Sequence, residues 1–421
     1  MIKKDIIKCL KANKEVTGYE IKISEKDSRE LFYVLNHLEI NRAVNTKVTT
    51  VTIYNSDDKT TGSSTVTITA ADDASSFTKK IKAALKMAKG SRNPYYPLVD
   101  NQENIKEAKP KFGNLNDIAS DIAKAVFKAN VYKDGWINST EIFVSSFRNE
   151  FTNSNGINHV SYSFKVQIEV IPTWSHNKEE FELYKFYESN EVNLNEVTNE
   201  VDEILSLARD RSVAVRPSEI KMPKNLPVLV KNDMRDLLVK NIATELNYQT
   251  IYLKYNHYSL NDIVSNNSFD LTMKGTIKGC VNSNSFDNNG VALTKKTIVK
   301  AGVAKAIFGS KRFGHYINQK NTTGLFPVCE LKAKGSEYKD KKHLIIETFS
   351  SPQLEENSGY WGGEVRLARY FDGKKYIPLT GFSISGNIYK DLKSVEFSKE
   401  SATSGSYKGP KYFIFKGIKI H

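Results

Sequence analysis

Apolar residues recur at spacings of three and four positions in several stretches of the chain, which is the period of one face of an α-helix. In residues 73–89 the apolar positions are i, i+4, i+7, i+8 and i+11, and residues 195–211 repeat that spacing. The same argument predicts helices over residues 114–130 and 232–249, a helical stretch around residues 26–38, and a short helix at the start of the chain.

The stretch NDMRDLLVKNIATELNYQ, residues 232–249, directly follows the apolar run LPVLV, so a strand, a tight turn and a helix are predicted in succession. Asn232 or Asp233 is placed to cap the first turn of this helix. The apolar residues share one face, and they are Met234, Leu237, Leu238, Ile242 and Leu246. A helix behind a buried strand is a common location for catalytic side chains, which raises the question of whether this helix carries any.

Alternation of apolar and polar residues, the period of a β-strand, is found elsewhere. It predicts a strand over residues 18–24 and a hairpin over residues 47–70, whose polar turn contains Asp57, Asp58 and Gly62. Residues 139–189 read as three antiparallel strands, with Asn155-Gly156 forming the first turn. After about residue 215 many Gly and Asn residues separate evenly spaced strands, a pattern that favours a curved or partly closed sheet.

Two segments rich in Gly, Pro and Asn, KGSRNPYYPLVDNQ and VRPSEIKMPKNLP, are predicted boundaries between domains. We therefore expect an α+β domain over residues 1–95, a middle α+β domain with an antiparallel meander over 110–212, and a β-rich domain over 215–421. The predicted fold class is α+β. N-terminal domains of hairpins and helices are followed by a large C-terminal domain of mostly antiparallel β-structure.

Composition places the chain among ordinary globular proteins, with 39% hydrophobic and 26% charged residues. The charged start does not fit a signal peptide, and no window is apolar enough to span a membrane. Three distant cysteines without a CxxC pair suit reduced thiols, so a cytoplasmic location without membrane contact is expected.

The net charge of +13 raises the question of a nucleic-acid partner. Only 11 of the 61 basic residues are Arg, the usual base-reading residue, and the lysines are spread along the chain without interleaved aromatics. A solvated lysine-rich surface is favoured over a nucleic-acid interface.

Motifs for metal or nucleophilic chemistry are absent from the sequence. No two of the seven histidines are closer than 17 positions, and neither GxSxG nor a phosphate-binding glycine loop occurs. Acidic pairs such as Asp57/Asp58, Asp72/Asp73 and Glu355/Glu356 stand in turn-like, solvated stretches, which favours a structural role over cation binding.

Single residues offer weaker hints. Cys280 and Cys329 resemble small buried residues, although a distant histidine could meet either thiol in space. His315, between aromatic neighbours, is better explained as a hydrogen-bonded structural histidine than as a base. Tyr360 and Trp361 could line a cleft, but a packed aromatic turn is the favoured interpretation.

Several stretches taken in order resemble the TldD/PmbA family, whose members are called modulators of DNA gyrase and are classed with metallopeptidases. The turn FDNNGV, the strand LTGFSISGN and the closing IFKGIKI carry the resemblance most clearly. In the middle segment, FTNSNGINHVSYSFKVQI resembles the NS-G strand turn of the family. The resemblance is strong after about residue 215 and weak before residue 90.

The resemblance implies two kinds of subunit, of which the TldD kind carries HExxxH on the helix and a further cysteine ligand near the C-terminus. Laid on this chain, the first His position falls at Val239, the Glu at Lys240 and the second His at Thr244. No cysteine follows Cys329, and the segment where the cysteine ligand would lie reads SATSGSYKGP, residues 401–410. This pattern matches the PmbA (TldE) kind, which lacks the metal motif, so no catalytic, metal-ligating or cofactor-binding residue is expected in this chain.

The implied function is that of a non-catalytic subunit of a metallopeptidase complex that processes small or unfolded polypeptides, inactive alone. The implied partners are a TldD-like subunit that holds the zinc, or a second copy in a homodimer, and an extended peptide substrate. Two alternatives stay open: a self-sufficient peptidase with an unrecognised site, and a nucleic-acid-associated or gyrase-associated modulator.

Overall fold

The chain folds into three β-sheets flanked by helices, as seen in a computed structural model that describes residues 1–223 and 225–421. The α+β class predicted from the sequence is confirmed. Within the described residues the helices are α1 (Lys3–Lys11), α2 (Ala74–Gly90), α3 (Leu115–Lys128), α4 (Leu194–Ser212), α5 (Asn232–Glu245), α6 (Tyr248–Leu253), α7 (Lys311–Tyr316) and α8 (Ile388–Asp391).

The strands of the first half of the chain are β1 (Gly18–Val34), β2 (His37–Ser56), β3 (Thr60–Ile68), β4 (Arg92–Pro94), β5 (Gly135–Asn153), β6 (Asn158–His176), β7 (Glu179–Glu182) and β8 (Lys185–Ser189). Those of the second half are β9 (Val228–Val230), β10 (Phe269–Lys274), β11 (Lys295–Lys300), β12 (Val303–Ala304), β13 (Val328–Ala333), β14 (Gly335–Ser336), β15 (His343–Phe349), β16 (Gln353–Leu354), β17 (Tyr360–Phe371), β18 (Tyr376–Leu379), β19 (Phe382–Asn387), β20 (Glu396–Ser398), β21 (Ser401–Thr403), β22 (Tyr407–Pro410), β23 (Phe413–Phe415) and β24 (Lys419–Ile420).

The first sheet is antiparallel, in the order β4-β3-β2-β1-β5-β6-β7, with β8 also paired to β6. Strand β1 is paired along nearly its whole length, by β2 on one side and β5 on the other. The helical stretch predicted around residues 26–38 is therefore wrong, because these residues continue β1 and begin β2. Two long neighbouring strands satisfy the backbone of this segment and override its local apolar pattern.

The helices predicted over 73–89, 114–130 and 195–211 are confirmed as α2, α3 and α4, and each packs its apolar face on the first sheet. Two hydrophobic clusters lie under them, one with α1 and α2 and one with α3 and α4. The predicted segments 1–95 and 110–212 thus share one sheet but have separate clusters, and their division into two domains stays a prediction.

The second half of the chain forms a six-stranded sheet, β12-β11-β10-β13-β22-β21, and a ten-stranded sheet, β14-β20-β23-β9-β15-β17-β19-β24, with β16 and β18 also paired to β17. Neither sheet closes on itself, so of the two predicted forms, a curved or a partly closed sheet, the partly closed one is wrong. Most pairings are antiparallel, and β9 pairs in parallel with β15. The largest hydrophobic cluster lies in this half of the chain.

The two halves meet at the turn that follows Phe286. Asp287 holds this turn by accepting hydrogen bonds from the backbone N–H groups of Asn289 and Val291, at 2.8 and 3.0 Å. Gly290, at φ +80°, lies against the ring of Phe151, and its carbonyl oxygen is 3.0 Å from Nε2 of the fully buried His159. Burial lowers the pKa of His159, so a neutral imidazole donates to this carbonyl.

Substituting Gly290→Ala tests whether this contact holds the halves together. An added Cβ would lie 2.1 Å from the Phe151 ring at a backbone conformation that disfavours side chains, so we expect destabilisation of about 3 kcal/mol. Gly156→Ala is the matched control, because Gly156 also has a positive φ but an added Cβ there would meet no atom within 4 Å. Thermal unfolding of both variants measures the difference; equal melting temperatures would refute the role of this packing.

Glu20 on β1 is a second buried group at this junction, only 3% exposed. Burial raises its pKa to about 7, and nearby Asp287 acts in the same direction, whereas Lys22 and a hydrogen bond from Tyr54 oppose the shift. The folded protein therefore binds more protons than the unfolded chain between about pH 4.5 and 7.

It follows that the free energy of unfolding contributed by Glu20 falls as pH rises through this range. Replacing Glu20→Gln removes the group that must ionise in a buried site, and we expect a gain of up to about 3 kcal/mol at pH 8 and little change at pH 4. Melting temperatures measured from pH 4 to 8 test this. A variant whose profile is parallel to that of the original protein would show that Glu20 does not carry the dependence.

Candidate functional site

The strand-turn-helix unit predicted at residues 226–249 is present, with β9 buried between β15 and β23 and α5 following at once. Helix α5 ends at Glu245, and α6 begins at Tyr248, so the predicted single helix is two. The predicted capping by Asn232 or Asp233 is wrong. Lys231 is the N-cap and makes no side-chain cap, and Asn232 has φ +51°, because the chain turns sharply as it leaves the strand.

Lys231 is held instead by a buried ion pair. Its Nζ lies 2.5 Å from Oε2 of Glu347 on β15, and both side chains are almost fully buried. Burial alone would raise the pKa of Glu347, but Lys231 and Arg369 together hold it below its ordinary value. Arg369 continues the network to Asp210 on α4, at 2.6 Å. The start of α5 is thereby tied both to the sheet and to the first half of the chain.

The three positions that the resemblance assigns to zinc ligands and base have different environments on α5. Val239 is 2% exposed and packs in the main hydrophobic cluster, Lys240 is exposed, and Thr244 is half-buried. An alkyl side chain has no lone pair to donate, and an ammonium group repels a cation. These residues do not fit zinc.

A polar network occupies the first half of α5 instead. Arg235 is 1% exposed, its Nε donates to Oδ1 of Asp236 at 2.8 Å, and its Nη2 lies 2.8 Å from the same oxygen in an ion pair. The guanidinium stacks over the ring of Tyr407 at 4.3 Å, and the hydroxyl of Ser404 donates to the second oxygen of Asp236 at 2.7 Å. The hairpin β21–β22, residues 401–410, therefore crosses α5 at the segment where the resemblance would place the cysteine ligand.

Cys280 and Cys329 both lie beside this hairpin. Their Sγ atoms are 3.5 Å from the carbonyl oxygens of Tyr407 and Ser406, respectively. Burial raises the pKa of Cys280 to about 11 and that of Cys329 to about 12, so both are neutral thiols at physiological pH. The structure brings these distant cysteines to two neighbouring carbonyl groups, a proximity that their sequence positions do not predict.

Other residues singled out from the sequence have structural contacts of their own. Asp57 and Asp73 accept backbone hydrogen bonds in a turn and at the N-terminus of α2. His315 is exposed and lies edge-on to Tyr95. Trp361 is fully buried and donates to Asp391 at 2.8 Å, which makes it a packed residue and not part of a cleft.

A polar cluster at the end of α5 has no counterpart among the sequence predictions. Glu245, 2% exposed, accepts a hydrogen bond from the Tyr389 hydroxyl at 2.7 Å, and the same oxygen is 3.2 Å from Nδ1 of His257. The His257 ring stacks on Tyr389 with centroids 4.1 Å apart. These residues are up to 144 positions apart in the chain, so no local spacing could indicate the cluster. It fixes helix α8 and the loop after α6 to the end of α5.

The structure describes residues 1–223 and 225–421, and among them no three His, Cys, Asp or Glu side chains lie close enough together to hold a metal ion. In the same described residues, no helix combines the length and hydrophobicity needed to cross a bilayer.

Replacing Arg235→Met tests whether the network on α5 is structural. The substitution keeps a long side chain over Tyr407 but leaves Asp236 partly buried without its cation, so we expect a loss of about 2–3 kcal/mol in stability. Lys240→Met is the matched control, an exposed cation on the same helix whose loss should change stability by less than about 0.5 kcal/mol. Chemical denaturation measures both; equal effects would mean that Arg235 has no special role.

Known proteins resemble this chain in the sequence of its C-terminal half and in its fold. Residues 223–421 match the model of the PmbA/TldA metallopeptidase C-terminal domain. Among solved structures, TldE from Thermococcus kodakarensis superposes with a TM-score of 0.81 at 15% identity, over 99% of each chain. A comparison with curated proteins found no match.

Two further solved structures have the same fold. A proposed modulator of a DNA gyrase from Thermotoga maritima has a TM-score of 0.80 at 12% identity, over 100% of each chain. A proposed modulator of DNA gyrase from Bacteroides thetaiotaomicron has a TM-score of 0.79 at 14% identity, over 99% of this chain and 97% of that one. The family match identifies residues 223–421 as a domain of the TldD/PmbA family, and the end-to-end likeness shows that the whole chain has the fold of these solved structures.

Proposed function

We propose that this chain is the PmbA/TldE-like subunit of a TldD/PmbA-type peptidase complex and that it contributes no metal ligand. The observation that carries the proposal is the set of side chains on α5, where Val239, Lys240 and Thr244 stand at the positions that the resemblance assigns to the HExxxH motif. A buried alkyl group, a cation and a single hydroxyl cannot replace two imidazoles and a carboxylate. Zinc is then expected only in a TldD-like partner.

The C-terminal ligand position supports the same proposal. Ser404 and Tyr407 lie where a ligand from this segment would have to approach α5, and both contact the Arg235–Asp236 pair. The guanidinium places a positive charge beside the helix, which disfavours a nearby divalent cation. Two independent segments of the chain thus lack suitable ligands together.

In this proposal the subunit encloses and positions the substrate and takes no part in the cleavage itself. Its sheets supply one wall of an enclosed chamber, and their free edges offer backbone groups with which an extended peptide can pair. Small or unfolded polypeptides are the expected substrates because a folded domain presents no free backbone for such pairing. The bonds are cleaved at the zinc of the partner, and this chain holds the substrate in place.

A self-sufficient thiol peptidase has weaker support. Both buried cysteines are neutral at physiological pH, and each donates its S–H towards a backbone carbonyl. A nucleophilic cysteine needs a lowered pKa and an open approach. A gyrase-related or nucleic-acid-associated role rests only on the names of two structural relatives and on the net charge of +13.

The proposal predicts the behaviour of the purified protein with and without a partner. Elemental analysis after dialysis should find less than about 0.1 zinc per chain, and peptides should stay intact when only this chain is present. Adding an HExxxH-bearing family member should give cleavage that a chelator abolishes. The matched control is the same partner with its motif Glu replaced by Gln, which should be inactive in the mixture.

Either of two results would contradict the proposal. One is a stoichiometric, tightly held zinc in this chain. The other is chelator-resistant cleavage by the chain alone that is lost on Cys280→Ala or Cys329→Ala, which would support the thiol-peptidase alternative.

A further inference from the structure

A cleft with a volume of about 510 Å³ lies between helices α1 and α2. One side is formed by residues 5–14 of α1 and the turn that follows it, and the other by residues 74–82 at the start of α2. All of its lining residues therefore belong to the first half of the chain, and none lies on α5. Sites for small molecules in proteins have volumes of roughly 300–1,000 Å³, so the cleft has room for a small organic ligand.

The base of the cleft is apolar. Ile81 is 1% exposed and belongs to the hydrophobic cluster under α1 and α2, and the half-buried Cys9 packs against the same cluster. Ala12 and Ala74 add two more apolar side chains to the lining. Water in contact with these groups is released when a hydrocarbon chain takes its place, and this release favours binding.

Few neutral hydrogen-bonding groups remain free in the lining. The hydroxyl of Thr78 donates to the carbonyl oxygen of Ala74 at 2.7 Å, and the side-chain oxygen of Asn13 accepts a hydrogen bond from the N–H of Glu15 at 3.0 Å. A sugar or another polyhydroxy compound needs many such groups, because each of its hydroxyls loses hydrogen bonds to water on binding. The cleft is therefore poorly suited to a ligand of that kind.

Positive charge dominates the rim of the cleft. Lys8, Lys14 and Lys82 line it and are exposed. In the described parts of the chain none of these three lysines forms an ion pair, because the ion pairs made by the two helices use other lysines. Three ammonium groups and one carboxylate, that of Asp5, give the lining a net charge of +2. An anionic group is therefore attracted to the rim.

We propose that this cleft binds an aliphatic carboxylate, whose hydrocarbon chain lies over Ile81 and Cys9 and whose carboxylate lies among the three lysines. The apolar base and the cationic rim are complementary to the two ends of such a molecule. An inorganic anion would leave the apolar base in contact with water, and an alkylamine would place its charge beside three cations. The site involves α1 and α2 alone and does not rest on the proposed function.

Titration calorimetry with octanoate, decanoate and dodecanoate, each below its micelle concentration, tests the ligand class. The dissociation constant should fall by up to about fourfold for each added methylene, because each one buries further hydrocarbon surface. Decylamine is the matched control, with the chain length of decanoate and the opposite charge, and should bind at least about tenfold more weakly. Affinities independent of chain length, equal affinities for decanoate and decylamine, or no binding at millimolar concentration would overturn the proposal.

Cys9 reports on occupancy of the cleft in the unmodified protein. It is the half-buried member of the three free cysteines, whereas Cys280 and Cys329 are buried, so iodoacetamide should alkylate Cys9 first. Only protein with an empty cleft reacts, so dodecanoate at about ten times its dissociation constant should slow the alkylation about tenfold. Mass spectrometry of the peptide that contains Cys9 measures the rate. An unchanged rate at saturating dodecanoate would contradict the proposed location.

Replacing Lys82→Glu tests the cationic rim. Reversing this charge should raise the dissociation constant of dodecanoate about tenfold. Lys86→Glu is the matched control, because Lys86 is also exposed and lies one turn further along α2, outside the cleft, and there the constant should change by less than about twofold. Melting temperatures confirm that both variants are folded.

Two results with these variants would contradict the proposal. Equal effects of Lys82→Glu and Lys86→Glu would mean that the carboxylate does not lie at the rim of the cleft. Binding of the protein to phosphatidylglycerol vesicles that Lys82→Glu abolishes would assign the cleft to a membrane surface and exclude a free carboxylate as its ligand.

Discussion

Helix α5, packed behind β9, sets the arrangement of the rest of the C-terminal half. Strand β9 is fully buried between two neighbours, and the chain enters the helix one residue after the strand ends. The Lys231–Glu347 ion pair fixes this turn in a place where neither charge reaches water freely. Breaking one partner of such a pair leaves an uncompensated charge, so the start of the helix has little freedom.

Because the helix is fixed at its start, the 3.6-residue period of the helix decides which later residues face the core and which face solvent. Val239 faces the core and Lys240 faces solvent. The helix therefore has buried side chains that pack in the core and exposed side chains that interact with water. Arg235 and Asp236 connect the same helix to the hairpin that crosses it. An ion pair, a hydroxyl and an aromatic ring thus form the contact between α5 and this hairpin, and they stabilise the fold.

The spacing of apolar and turn residues in the sequence is sufficient to predict elements that are stabilised by residues only a few positions apart. The amphipathic spacing predicts α2, α3 and α4 correctly, and Asn155-Gly156 predicts its turn, because side chains on one face and turn residues act over a few positions. The helical pattern of residues 26–38 misleads, since their strand state depends on β2 and β5, the latter more than a hundred positions away. The predicted capping of α5 fails for a related reason: tertiary packing sets the turn at Asn232.

The site is predictable only through the resemblance. It places Val239, Lys240 and Thr244 correctly on a helix, but their environment is not visible in the sequence. The contacts that define it, Asp236 with Ser404 and Cys280 with Tyr407, join residues 168 and 127 positions apart. Contacts over such distances produce no regular spacing of residues in the sequence from which they could be predicted.

The sharpest test of α5 as a structural helix without a metal centre is anomalous diffraction at the zinc absorption edge from crystals soaked in zinc. No anomalous peak is expected within coordination distance, about 2.0–2.3 Å, of any α5 side chain. A peak bonded to residues of α5 or of the hairpin at 401–410 would contradict a purely structural role for this helix.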